Sequence, residues 1–104
     1  MARYDIRHTK SSEADLTDIL RYIAIELEMP ETALRMIETI DNSIESLFTM
    51  PHRYPLVDDA HLASMGYRKM VVKNYIAFFT VDDDEKIVNV ERILYARRDW
   101  LNIL

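Results

Sequence analysis

The sequence predicts a single α+β domain over residues 1–104, with an N-terminal strand, an antiparallel pair of helices and a three-stranded antiparallel sheet. Towards the end of the chain, three runs of apolar, β-branched and aromatic residues at 67–72, 75–82 and 86–95 are separated only by short polar gaps. This is the pattern of two successive hairpins. Residues 12–48 instead repeat apolar residues at helical spacing. We expect both helices to pack on one face of the sheet.

The composition is typical of a folded globular protein. Apolar residues make up 49% of the 104 residues, with one glycine and three prolines. The absence of cysteine excludes disulfide bonds and thiolate chemistry. The amino-terminal residues lack the apolar core of a signal peptide, and no apolar run reaches the ~18 residues of a membrane span. We therefore expect a cytoplasmic protein without a membrane partner.

The charges are unevenly distributed along the chain. Although the net charge of −5 argues against a general nucleic-acid binder, residues 67–104 hold 7 Lys and Arg against 6 Asp and Glu. Residues 1–66 hold 6 against 12. Four of the six acids in the second segment lie together at 82–85. A basic sheet on an acidic helical layer would follow, which indicates a charged partner.

The first elements are a strand and a helix. Residues 2–8 alternate apolar and polar side chains, as in a half-buried strand. Ser12 is the predicted N-cap of a helix over 12–28, with Asp15 in the position of the capping-box glutamate.

Pro30 suits the first turn of a second helix, over 30–48, because that position needs no backbone N–H. The prolines within 50–55 end this helix. Residues 56–65 are ambiguous: Asp58 could cap a short helical turn, or the stretch could be a loop.

Side-chain alternation assigns the last strand to two faces. One face carries Val88, Val90, Arg92 and Leu94, and the other carries Asn89, Glu91, Ile93 and Tyr95. Because Arg92 is in phase with valines, we expect it to be half-buried and paired with an acid. The face of the sheet without helices should stay open to solvent and could bind a ligand.

The remaining apolar residues have simple structural interpretations. Trp100 and the residues after it predict a short docked C-terminal helix. The methionines are interpreted as core filler: Met29, Met36, Met50, Met65 and Met70.

The residues best suited to chemistry lie at the end of the last strand. Arg97 and Arg98 could bind phosphate through their planar guanidinium groups, and Tyr95 could stack on a base or transfer a proton. The three histidines are too dispersed for a metal site, and no phosphate-binding loop or hydrolase motif is present. We expect neither a metal nor a cofactor.

The whole chain resembles the RelE/ParE superfamily of bacterial type II toxin–antitoxin modules, which also act in plasmid stabilisation. The residues that carry this resemblance are 51–55 (PHRYP), 66–75 (GYRKMVVKNY) and 90–100 (VERILYARRDW). Their order and spacing match the family, as does the predicted β-α-α-β-β-β order.

The resemblance implies a small toxin that a cognate antitoxin neutralises by wrapping around it. The RelE-like branch cleaves mRNA on the ribosome without metal, and this mRNA-interferase function is the first hypothesis. The ParE-like branch poisons DNA gyrase without being an enzyme, and this is the second. A non-toxic module that only binds an antitoxin is the third.

The resemblance also implies site residues. Arg68 falls where the nuclease branch has a basic residue on the second strand, and Arg98, or Arg97, falls at its strand-end arginine. Tyr95 and Lys73 are candidates for base contact or proton transfer. Other nuclease positions differ, since they hold Met70, Ile76 and, near the carboxyl end, Trp100 and Leu104.

Overall fold

The computed structural model describes residues 2–104 and contains a four-stranded sheet with two long helices on one face. The elements in chain order are β1 (Asp5–His8), α1 (Lys10–Arg21), a π-helical turn (Tyr22–Glu26), α2 (Pro30–Glu45), α3 (Ala60–Ser64), β2 (Arg68–Val72), β3 (Tyr75–Asp82) and β4 (Ile87–Tyr95), with 3₁₀ turns at Ser46–Phe48, Pro51–Arg53 and Trp100–Asn102. The predicted α+β class is confirmed. The C-terminal helix is reduced to the last of these turns.

The strands lie in the order β1-β4-β3-β2. The antiparallel meander of β2, β3 and β4 is as predicted. β1 lies parallel to β4, with Asp5 opposite Ile87, and α1 and α2 carry the chain from β1 to β2 at the opposite edge of the sheet. The strand begins at Asp5 rather than at Ala2, because Arg3 makes only an isolated bridge to Thr49.

The first helix begins earlier than predicted, because Thr9 rather than Ser12 is its N-cap. The Thr9 hydroxyl accepts a hydrogen bond from the Ser12 backbone N–H at 3.0 Å. Ser12 is buried, and its own hydroxyl donates to the Thr9 carbonyl oxygen. Asp15 is not part of a capping box, since its carboxylate points to the sheet.

The second helix begins at Pro30 as predicted and ends at Glu45, where the chain tightens into a 3₁₀ turn. The two helices bury one stripe each on the sheet, and the resulting core includes Ile19, Ile23, Ala33, Ile40, Ile44, Met70, Phe79, Val88, Val90 and Ile93. No helix within residues 2–104 has both the length and the apolar character needed to cross a membrane.

The ambiguous segment contains α3. Its cap is Asp59, not Asp58, and the Asp59 carboxylate accepts a hydrogen bond from the Leu62 N–H at 2.9 Å. Leu62 is thereby directed onto the face of the sheet opposite α1 and α2.

A β-bulge in β4 changes which side chains share a face. Phe78 pairs with Arg92, but Phe79 pairs with Val90, so Glu91 has no partner on β3. Beyond the bulge the alternation is inverted: Ile93 joins the helical core and Leu94 joins the opposite cluster. The predicted face assignment is therefore wrong for the last three residues of the strand.

The second face of the sheet is only partly open, contrary to the prediction. Part of it is covered by α3 and by the chain after β4, where the Trp100 ring lies 5.1 Å from the ring centroid of Phe78. Leu62, Ile103 and Leu104 complete this second apolar cluster. The apolar end of the chain, expected to dock as a short helix, docks on the face of the sheet that was expected to stay open.

Arg92 was expected to pair with an acid, and the acid in the structure is Asp15 on α1. The carboxylate of Asp15 accepts from Arg92 Nε at 2.8 Å, from Arg92 Nη2 at 2.9 Å and from the Ile93 backbone N–H at 2.9 Å. The hydrogen bonds to Asp15 raise the pKa of Arg92, although desolvation partly opposes this. The contact joins α1 to β4 directly after the bulge.

Replacing Arg92 tests this contact. Arg92→Leu leaves the buried Asp15 carboxylate without its cation, so we expect the free energy of unfolding to fall by about 3 kcal/mol. Urea unfolding at neutral pH measures the change. The control Arg35→Leu removes an exposed arginine of α2 and should cost less than about 0.5 kcal/mol. Equal losses for the two variants would contradict the role of the pair.

Candidate functional site

The open part of the second face is an acidic cleft of ≈ 670 Å³. Its charged lining residues are Asp82, Asp83, Asp84 and Glu91, with no lysine or arginine among them. Thr80 donates to the Glu91 carboxylate at 2.9 Å. Partial burial and the nearby Glu91 charge raise the pKa of Tyr67, which also lines the cleft. A nucleic-acid backbone would be repelled here.

Asp83 joins three parts of the chain at this end of the sheet. Its carboxylate accepts from the Tyr4 hydroxyl at 2.7 Å and lies 3.1 Å from His52 Nε2. The hydrogen bond from Tyr4 is the main cause that lowers the pKa of Asp83, and the His52 contact adds to it. The same hydrogen bond raises the pKa of Tyr4.

The guanidinium group of Arg68 forms hydrogen bonds to the protein backbone. Its Nη1 donates to the Tyr54 carbonyl oxygen at 2.7 Å and to the His52 carbonyl oxygen at 3.4 Å. The guanidinium thus fixes the 3₁₀ turn at Pro51–Arg53 against the start of β2. This contact favours a structural role for Arg68.

The other four predicted site residues lie together at the opposite end of the sheet. Lys73 occupies the β2–β3 turn, and the Asn74 carbonyl oxygen accepts from the Ala96 N–H at 2.8 Å, directly after Tyr95. Arg97 and Arg98 follow, and all four side chains are exposed. Arg68 pairs with Phe79, which pairs with Val90, so at ~3.4 Å per residue Arg68 is about 15 Å along the sheet from Tyr95. The structure does not bring Arg68 to the other four.

Tyr95 lies on the helical side of the sheet, because of the bulge. Its ring packs edge-on against Tyr75, with the centroids 5.9 Å apart. The predicted common face with Asn89 and Glu91 is therefore wrong.

An apolar groove of ≈ 670 Å³ lies beside this end of the sheet, between the helical hairpin and the ends of β3 and β4. Tyr22, Leu27 and Met29 line it with exposed surface, and Tyr75 forms part of its floor. Burial raises the pKa of Tyr75 above its ordinary value, and the nearby Tyr95 and Tyr22 add to this shift. Arg98 lies at its rim.

This groove is not predicted from the sequence. The expectation that Met29, Met50 and Met65 fill the core is wrong, because 48%, 57% and 54% of their surfaces are exposed. Of the five methionines expected to fill the core, only Met70 is fully buried. The available signal was the short connection before Pro30, which places the apolar residues Leu27 and Met29 at the tip of the helical hairpin.

Within residues 2–104, no three His, Asp or Glu side chains are placed so that they could hold a metal ion.

Comparison with known proteins finds one family model that matches the sequence and several solved structures that share the fold. The family model described as the ParE toxin of the type II toxin–antitoxin system parDE matches residues 6–100. Among curated proteins there is no match.

Three solved structures share the fold over nearly the whole chain. The chromosomal ParDE toxin–antitoxin system from P. aeruginosa has a TM-score of 0.75 at 20% identity, covering 91% of this chain and 98% of that one. The RelBE2 complex from Mycobacterium tuberculosis has a TM-score of 0.64 at 18% identity, with 90% and 99% covered. The intact E. coli RelBE complex has 0.61 at 12% identity, with 91% and 99% covered.

The four-stranded sheet, its helical hairpin and these matches define a toxin of the RelE/ParE superfamily. Within that superfamily, the chain belongs to the ParE toxin family of type II toxin–antitoxin systems.

The lowered pKa of Asp83 predicts a pH-dependent contribution to stability. A carboxyl group whose folded pKa lies below the ordinary value of 3.8 stabilises the fold above that value and loses this effect as the pH falls through the folded pKa. We expect the melting temperature of Asp83→Asn to be lower than that of the wild type at pH 7.

The same difference should shrink below about pH 3.8, where protonation removes the advantage of the carboxylate. Thermal melts between neutral and acid pH measure it. Asp84→Asn removes a neighbouring charge in the same turn and is the control, with little difference at any pH. A difference for Asp83→Asn that persists unchanged into acid would contradict the assignment.

Proposed function

We propose that this protein is a ParE-like toxin that poisons DNA gyrase without cleaving nucleic acid, and that a cognate antitoxin neutralises it. The observation that carries the proposal is the charge of the open sheet face. The cleft there is lined by four acids and no cation, which opposes binding of an RNA backbone. We therefore favour the gyrase hypothesis over the mRNA-interferase hypothesis, which was the first hypothesis from the sequence.

The arrangement of the cations also favours the gyrase hypothesis over the mRNA-interferase hypothesis. Metal-independent cleavage of a phosphodiester needs cations and proton-transferring groups within reach of one phosphate. Arg68 donates to two backbone carbonyl groups about 15 Å along the sheet from the strand end that precedes Arg98. Met70 is buried and Ile76 belongs to the second apolar cluster, so neither position offers a proton.

The chain after β4 is the candidate contact for gyrase. Trp100, Ile103 and Leu104 face the sheet and hold this segment in place. Leu101, between them, keeps 50% of its surface exposed. A docked segment that presents one apolar side chain to solvent is suited to binding another protein.

The groove is the candidate site for the antitoxin. It is mostly apolar, and its exposed Tyr22, Leu27 and Met29 match the apolar stripe of an amphipathic helix. The three structural relatives are described as toxin–antitoxin systems or complexes, which supports a cognate partner for this chain as well.

A cleavage assay with purified gyrase and supercoiled plasmid tests the gyrase proposal. We expect the wild-type protein to trap gyrase on broken DNA, seen as linear plasmid after detergent and protease treatment. Leu101→Asp should reduce the amount trapped by about tenfold, as expected for loss of an interfacial anchor. The control Leu34→Asp changes an exposed leucine of α2 and should trap as much as the wild type.

Two results would contradict the gyrase proposal. Cleavage of mRNA within reading frames in a translation reaction, without linear plasmid, would favour the mRNA interferase. The absence of both activities, together with harmless expression in a bacterium, would favour a non-toxic antitoxin-binding module.

Co-expression with the protein encoded by the neighbouring small reading frame tests the groove. Tyr22→Asp combined with Met29→Asp places two charges on the rim and should reduce co-purification by at least about a hundredfold. Ile25→Asp combined with Leu34→Asp is the control, because both residues are exposed on the same helices but neither lines the groove. Equal loss in both double variants would contradict the groove as the binding site.

A further inference from the structure

Three cations form a compact basic tip at one end of the sheet: Lys73, Arg97 and Arg98. Lys73 occupies the two-residue turn between β2 and β3 with a φ of +55°, a backbone conformation that is costly for a lysine. The neighbouring Asn74 carbonyl accepts from the Ala96 N–H at 2.8 Å, so the two turns touch. The sheet thereby brings together cations that are more than twenty residues apart in sequence.

The charges of the basic tip are not neutralised by the protein. Within residues 2–104, none of the three side chains has a carboxylate within 4.0 Å. By contrast, Lys69 lies 3.9 Å from Asp58, and Arg92 is paired with Asp15. The adjacent Asp99 accepts a hydrogen bond from Asn102. The basic tip is therefore free to bind an external anion.

The acidic turn at 82–85 does not cancel this charge. β3 runs from Tyr75, beside the basic tip, to Asp82, at the acidic turn. At ~3.3 Å per residue the two ends lie about 23 Å apart. The Debye length at physiological salt is about 8 Å, so the charges of the acidic turn are largely screened from the basic tip.

We propose that the basic tip binds the phosphate backbone of duplex DNA, and that in the trapped complex it contacts the DNA segment that gyrase holds. The proposal rests on the proposed function. Phosphate binding needs only exposed cations with small neighbours, and Asn74 and Ala96 are such neighbours. An acidic protein surface, which would also contact the exposed Tyr95 ring beside these cations, is a separate outcome of the test. The guanidinium fork of each arginine fits phosphate oxygens.

Binding to a short fluorescent DNA duplex, measured by anisotropy over a series of salt concentrations, tests the inference without gyrase. Three phosphate contacts predict a slope of log K against log salt of about −2.7, at about −0.9 for each contact. Lys73→Gln, Arg97→Gln and Arg98→Gln together should weaken binding at low salt by at least about tenfold and flatten the slope. The control combines Arg7→Gln, Lys10→Gln and Arg35→Gln, which removes the same charge from exposed sites elsewhere.

The outcomes separate this inference from the proposed function. Equal binding by the tip and control variants, or no binding of the wild type at low salt, overturns the inference even if gyrase is trapped. If the tip variant loses gyrase trapping while DNA binding is unaffected, the tip contacts an acidic protein surface and the inference is again overturned. Salt-dependent binding that only the tip variant loses supports it, even when the wild type traps no gyrase and the proposed function fails.

Discussion

The contact between Asp15 and the strand β4 holds the layers of this protein together. β1 has only four residues and leaves β4 at Val90, so beyond that point one edge of β4 has no neighbouring strand. The Asp15 carboxylate takes the place of that strand by accepting the Ile93 N–H, and it also pairs with Arg92. A buried charge is tolerated here because both carboxylate oxygens accept hydrogen bonds, three in all, and one donor is a cation. One side chain of α1 therefore completes the sheet and orients the helix on it.

The bulge and this contact are parts of one local arrangement. Because Glu91 has no partner on β3, β4 contains one extra residue at this point. The side chains after the bulge therefore point to the opposite faces from those expected for a regular strand. Ile93 then packs under the helices, and Tyr95 approaches the groove instead of the acidic cleft. The bulge therefore leaves Glu91 in the acidic cleft and places Ile93 and Tyr95 beside the apolar groove.

The order of elements, the two helical stripes and the acid partner of Arg92 could be predicted, because each depends on the period of apolar residues along the chain. The bulge could not, since a one-residue irregularity has the same local pattern as a regular strand. The separation of Arg68 from the other candidate site residues could not be predicted either. Arg68 and Arg98 both match positions of the family pattern, but only the strand register shows that they lie at different ends of the sheet.

The parallel pairing of β1 with β4 has a consequence for synthesis. Asp5 pairs with Ile87, so 82 residues separate the first strand from its partner. A ribosome adds about 5–20 residues per second, which leaves the first strand without its neighbour for about 4–16 s. Contacts this distant in sequence also form late in folding. The growing chain therefore cannot complete its four-stranded sheet until β4 has been synthesised.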